Sequence, residues 1–189
     1  MSGDNVTSAD NQQEMLYYFT GFLTGESSLS LIRATNKKGG TGFYYTPDLT
    51  VSNADLDLLQ EINQVIANGK GIITLIKGGY NLSMRGKEKV KIVLAFLDKY
   101  PPLRGDLILE KISLLKKSIS ILSEKGKRNK RNEFEVKEIE LLRQRFREIK
   151  ETAKASTSFP YVGINRRETG YFLAGIVDAE GSMGFRKTG

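Results

Sequence analysis

The chain has 189 residues and contains no cysteine, no histidine and no tryptophan. Without cysteine there is no disulfide, no thiolate nucleophile and no zinc knuckle. Without histidine there is no imidazole base, no His–Cys zinc site and no Ser-His-Asp triad. Any chemistry must rest on carboxylates, Lys, Arg, Tyr, Ser and bound cations, and ligation by oxygen alone points to Mg²⁺ or a similar hard divalent ion. No uninterrupted apolar run is long enough for a transmembrane helix, so no membrane partner is expected. Residues 1–13 are polar, lack the apolar core of a signal peptide, and are expected to form a disordered tail.

What is present is charge of one sign and a repeated apolar segment. The formal net charge is +7 and the pI about 9.5. A basic chain of this size, long enough for one full domain with a core or for one domain plus an appendage, most often meets nucleic acid or an anionic membrane surface, and nucleic acid is the partner expected here. Near the end stands Leu173-Ala174-Gly175-Ile176-Val177-Asp178-Ala179-Glu180-Gly181, and near the start a looser copy, Phe19-Thr20-Gly21-Phe22-Leu23-Thr24-Gly25-Glu26-Ser27. Gly21 and Gly25 are four apart, as are Gly175 and Ala179, so each pair shares one helical face and lets a second helix approach closely. Each copy ends on a glutamate and is followed by a serine-initiated run of strand character, Ser28-Leu29-Ser30-Leu31-Ile32 and Ser182-Met183-Gly184-Phe185. Two apolar helices packed together would set their acids side by side at a pseudo-twofold axis.

Between the copies, hydrophobic periodicity predicts a regular alternation of elements. Residues 14–25 read as a helix with Asp10 or Asn11 as cap, 28–35 as a half-buried strand, and 43–52 as a second strand interrupted near Pro47-Asp48. Asn53 is expected to cap a helix over 54–67, closed by Asn68-Gly69-Lys70-Gly71. A hairpin around Gly78-Gly79 joins strands 71–77 and 80–85, and helices follow over 87–99, 106–122 and 136–155, with Tyr100-Pro101-Pro102 stopping the first of these three. The last helix is expected over 168–180. The domain reading is a first domain at 14–123, a charged helical linker at 124–167 and an incomplete second domain at 168–189.

The doubled motif resembles that of the LAGLIDADG homing endonucleases, the second copy almost letter for letter. The first departs at Thr24, where the family usually has Asp, and at Ser27, where it usually has Gly. The run Phe96-Leu97-Asp98-Lys99-Tyr100-Pro101-Pro102-Leu103 resembles the segment after the fourth strand in many members, so the likeness covers about 17–122 and resumes at 170. It implies an α+β fold, an αββαββα half-domain with a curved antiparallel DNA-binding sheet, followed by a helical linker and the first helix of a second half. The chain is expected to be a fragment, weakly active or inactive alone, with possible self-association through the motif helices. An intron-borne gene expressed in an organelle or a bacterial cytoplasm is implied.

The same resemblance assigns candidate sites. Glu26 and Glu180 are the metal ligands and catalytic acids, holding Mg²⁺ for phosphodiester hydrolysis. A carboxylate at a helix C-terminus opposes the helix dipole, a cost that argues for function. Lys87 is the candidate cation near the scissile phosphate, Gln60 could order water, and Asp178 is read as a helix-end polar contact. The sheet, laid along the major groove of double-stranded DNA, offers Arg33, Thr35, Lys37, Lys38, Tyr44, Thr46, Lys77, Ser83 and Arg85 for bases or phosphates, and the Lys125–Arg131 run could hold backbone phosphate. Two other functions fit the scaffold: a maturase that binds intron RNA, and a DNA-binding protein that does not cut.

Overall fold

The computed structural model describes residues 8–35, 43–103, 105–124, 132–153 and 166–180. The elements run α1 (Ser8–Glu26), β1 (Ser28–Thr35), β2 (Phe43–Asn53), α2 (Leu56–Ala67), β3 (Ile72–Ile76), β4 (Gly79–Arg85), α3 (Lys87–Lys99), α4 (Asp106–Glu124), α5 (Glu133–Ala153) and α6 (Arg166–Glu180). The first seven give helix, two strands, helix, two strands, helix. The strands form one antiparallel sheet in the order β1-β2-β4-β3.

Strand alternation gives the sheet two unlike faces. Leu29 and Leu31 of β1, Leu49 and Val51 of β2, and Leu82 and Met84 of β4 are buried, and the register places them on one face. Helices α1 to α4 pack there, joining Phe22, Leu59, Ile62, Val90, Val93 and Leu115 to the same core. Burying a side chain such as Phe22 or Leu49 stabilises the fold by about 1.5–3 kcal/mol each, which anchors the helical layer to the sheet. The opposite face carries Ser, Thr, Asn and Tyr side chains and is left open.

Pro47 does not interrupt β2, contrary to the sequence expectation. Its carbonyl accepts the Gly86 amide at 2.9 Å, so the amide hydrogen it lacks would also point toward the end of β4, where the ladder finishes. The missing donor therefore breaks no ladder bond to β1. By the same alternation the opposed Leu31 turns its carbonyl outward from β1, and Arg143 of α5 donates to it at 3.1 Å. Helix α5 thus covers an edge that would otherwise expose unpaired backbone.

Local chemistry shifts other expected boundaries. The cap of α2 is Asp55, which accepts the Leu58 amide at 3.0 Å, while Asn53 supports that turn by accepting the Asp55 amide at 2.8 Å. Asn68, at φ 51° and ψ 39°, closes α2 in the left-handed conformation. Gly79 sits at φ 157°, and a Cβ there would lie 2.6 Å from the Asn53 carbonyl, so the β3–β4 hairpin requires glycine. Helix α1 starts at Ser8, which places residues 8–13 in a helix rather than in a tail and puts Asp10 and Asn11 inside it. Contacts to α6 accompany this extension: Gln13 donates to Glu168 at 3.0 Å, and Arg167 lies 3.7 Å from Glu14. Among the described residues no helix is long and apolar enough to cross a membrane.

Candidate nuclease site on paired helices

Helices α1 and α6 pack more extensively than any other pair of helices described. Their closest approach is backbone to backbone. A Cβ added to Gly21 would lie 1.9 Å from the Phe172 carbonyl oxygen, and one added to Gly175 would lie 2.0 Å from the Tyr18 carbonyl oxygen. No side chain larger than hydrogen fits either place without moving a helix. Ala179 is buried, whereas Gly25 is exposed in the last turn of α1.

These contacts follow a symmetry written in the sequence. An offset of 154 residues carries Gly21 onto Gly175 and Tyr18 onto Phe172, so the two close approaches are images of each other. The same offset carries the Gln13–Glu168 contact onto the Glu14–Arg167 contact. Reciprocal pairs of this kind define an isologous, twofold interface. The start of one helix meets the start of the other, so the helices run in the same direction. Glu26 and Glu180, each the last residue of its helix, therefore lie at the same end of the pair.

One contact breaks the symmetry. The Tyr18 hydroxyl donates to Asp178 at 2.9 Å, and burial, reinforced by that carboxylate, pushes the Tyr18 pKa up to about 12. The image of this pair is Phe172 and Thr24, which has neither phenol nor carboxylate. Thr24 turns its hydroxyl back to the Thr20 carbonyl at 2.8 Å instead. The departure at Thr24 is thus matched by the loss of the tyrosine that its acid would have met.

Lys87 has a structural partner. Its ammonium donates to the Leu122 carbonyl at 3.0 Å, in the last turn of α4, where backbone acceptors lack intrahelical donors. This is the position at which a cation satisfies a helix C-terminus. Gln60 is exposed on α2, in the helical layer.

The register divides the nine candidate DNA contacts. Tyr44, Thr46, Ser83 and Arg85 stand on the open face, and Lys77 lies in the two-residue turn between β3 and β4. Lys37 and Lys38, like the Lys125–Arg131 run, lie outside the described residues. Arg33 and Thr35 fall on the helix-facing side. Arg33 stacks its guanidinium 3.8 Å from the Phe43 ring centre and lies 3.3 Å from Glu140 of α5, so it docks that helix instead of facing a groove. Tyr45 donates to Glu140 at 2.5 Å, and Arg143 donates to it at 2.6 Å. Burial would raise the Glu140 pKa, but the Tyr45 and Arg143 hydrogen bonds and the Arg33 charge outweigh it and hold the carboxyl below its ordinary value.

The same parity adds open-face residues that composition alone does not mark: Ser30, Thr50, Ser52, Thr74 and Asn81, with Ile72 and Ile76 exposed beside them. Counting alternate positions from Leu29 in β1 and Leu49 in β2 would have found the serines and threonines. Asp48, buried on this face, accepts from Arg85 Nε at 3.0 Å and raises the Arg85 pKa by that hydrogen bond. The Arg85 side chain stays mostly exposed.

An open polar antiparallel sheet beside a pair of glycine-packed helices, each closing on an acid, defines a class of α+β domain. Residues 19–108 match the family of LAGLIDADG endonucleases. No curated protein sequence matches the chain. Among solved structures it is similar to the LAGLIDADG homing endonuclease I-GzeII in complex with its DNA target, at 20% identity, with 87% of this chain and 58% of that chain covered and a TM-score of 0.67. It is also similar to I-SmaMI bound to an uncleaved DNA target in the presence of calcium ions, at 22% identity, 87% and 57% coverage and a TM-score of 0.63. I-CpaMI bound to uncleaved DNA gives 17% identity, 87% and 57% coverage and a TM-score of 0.63. These likenesses are of fold, and the chain spans under three-fifths of the length of each of these structures.

Proposed function

We propose that this chain belongs to a DNA endonuclease that hydrolyses phosphodiester bonds with a divalent cation held by Glu26 and Glu180. The observation that carries this reading is the reciprocal packing of α1 on α6, which brings two acid-terminated helices to one end beside an open polar sheet. The donor set fits the ion. Among the described residues there is no cluster of three or more His, Cys, Asp or Glu, and Mg²⁺ needs only one or two carboxylates when phosphate oxygens and water complete its shell. Such an ion, when bound, stabilises charge on the attacking and leaving oxygens.

The chain's own residues supply position. The helix pair sets Glu26 and Glu180 at the ends of two packed helices, and Tyr44, Thr46, Ser83 and Arg85 on the open face of the sheet would meet the major groove as a β-ribbon does. Lys87 is left out of the chemistry, because its ammonium is held by the Leu122 carbonyl. Arg33 acts in holding α5 to the sheet edge.

The outer face of α6 supports a second element of this reading. Tyr171, Leu173 and Val177 are 37%, 38% and 48% exposed, whereas their images in α1, Tyr17, Phe19 and Leu23, are 8%, 1% and 2% exposed. The α1 residues are covered by the first domain. By the same symmetry, a second αββαββα half covers α6 in the active enzyme, and the 189 residues alone cut weakly or not at all.

The test uses residues 1–189 extended by such a second half. The extended protein should nick or cut duplex DNA with Mg²⁺, and Glu26→Gln with Glu180→Gln should abolish cleavage while binding persists. Cleavage that survives the double substitution would remove the acids from the reaction. DNA-independent support of intron splicing by the same double variant would favour the maturase reading.

A further inference from the structure

A cleft of about 280 Å³ lies between β1, α4 and α5, on the edge of the sheet beside the end of α1. Lys111, Arg143, Arg147 and Lys150 line it, together with the hydroxyls of Ser28 and Ser30 and no carboxylate. Arg143, Arg147 and Lys150 recur at spacings of four and three, so α5 presents them on one face. Arg143 is engaged with Glu140 and the Leu31 carbonyl. Lys111, Arg147 and Lys150 have no hydrogen-bond or ion-pair partner among the described residues. Burial, and then the neighbouring Lys150 charge, lowers the Lys111 pKa. Cations gathered in a recess without a counter-charge repel one another, and an anion relieves both that repulsion and the burial of Lys111.

The position of the cleft specifies the anion. Its floor begins at Ser27, the residue after Glu26, and Ser28 and Ser30 belong to the open face while Leu29 and Leu31 face the helices. The cleft therefore straddles the sheet edge where a strand of a duplex lying on the open face would pass the acid-bearing helix end. We propose that this cleft binds a backbone phosphate of the duplex next to Glu26, with Lys111, Arg147 and Lys150 as its cationic ligands. The proposal rests on the DNA-binding reading above. Because it reads no base edge, it contributes affinity and register equally on all sequences.

The experiment is lysine acylation of the full chain near neutral pH, read by mass spectrometry, with and without a short duplex or inorganic pyrophosphate. It is paired with the salt dependence of duplex binding for the parent and for Arg147→Ala/Lys150→Ala, both exposed positions. Expected are protection of Lys111 and Lys150 by the duplex and a fall of roughly one to two in the slope of log K against log salt for the double variant, whatever the sequence. Protection of Lys77 in the open-face turn without protection of Lys111 and Lys150, and with an unchanged slope, would overturn the site and leave the DNA reading standing. Protection by pyrophosphate but not by duplex would make it a site for free phosphate and overturn the proposal. A duplex that protects no lysine would defeat the DNA reading itself, and the proposed occupant with it.

Discussion

Helices α1 and α6 carry versions of one motif, use the same glycine contact, and differ in what surrounds them. Almost every residue from Tyr17 to Leu23 is buried, because α1 touches α6 on one side and the sheet and tyrosine–proline segment on the other. Among the described residues of α6, only the α1-facing Phe172, Gly175 and Ala179 are buried. The motif thus encodes the helix-to-helix contact, and the rest of each half encodes what lies behind it. A helix apolar on all sides is meant to be enclosed, and α6 is enclosed on one side in this chain.

Separating α1 from α6 should have the largest effect. Gly21→Val and Gly175→Val each force a side chain into an opposing backbone carbonyl, with an expected loss of about 3 kcal/mol or more, measured by urea unfolding. The two should diverge in kind. The Gly175 variant should release α6 and leave the first domain folded, whereas the Gly21 variant should disturb both. Gly170, where an added Cβ meets nothing within 4 Å, is the control, and Gly170→Ala should stabilise α6 by up to about 1 kcal/mol.

A smaller change would sharpen the symmetry. Tyr18→Phe should cost about 1 kcal/mol through its bond to Asp178, and a double-mutant cycle with Asp178→Asn should find most of that energy shared. Installing Thr24→Asp with Phe172→Tyr should create the missing image bond. Those two substitutions should each be neutral or unfavourable singly and recover together.

Lys87→Met should lower stability by about 0.5–1 kcal/mol, through the end of α4, and leave cleavage by the extended protein within a few fold of parent. Loss of cleavage at full stability would return Lys87 to the chemistry.

The smallest effect is expected at the α5 clamp. Glu140 is held below its ordinary pKa, so its folded form is favoured above the unfolded pKa and that advantage disappears as pH falls through the folded value. Thermal melts between pH 7 and 3 should therefore show a smaller acid-side decline in Glu140→Gln than in the parent.

The elements themselves were legible because their signals are local. Residues 28–35 alternate cleanly and 87–99 carry a 3.6-residue period between a glycine and a tyrosine–proline stop, and β1 and α3 have those bounds. The close contact of Gly21 with α6 was legible because a small residue repeated at a fixed place in two helices has few other uses. What failed depended on parity or on long-range partners. Arg33 is a cation in a strand and reads as a DNA contact until Leu29 and Leu31 fix which face it shares. The tolerance of Pro47 depends on where β4 ends, and the Lys87 partner lies 35 residues away at the end of α4. The Asp48–Arg85 pair is likewise set by strand register, across 37 residues.

The twofold packing of α1 on α6 sets Glu26 and Glu180 at one end of the helix pair. The absence of cysteine makes a direct test possible, since Glu26→Cys/Glu180→Cys would hold the only two thiols in the chain. A short thiol-to-thiol cross-linker should close this pair as efficiently as it closes Gln13→Cys/Glu168→Cys at the opposite end, where the native side chains are 3.0 Å apart. Closure of the 13/168 pair without closure of the 26/180 pair would mean that the helices splay at the acid end, and the shared metal site would be excluded.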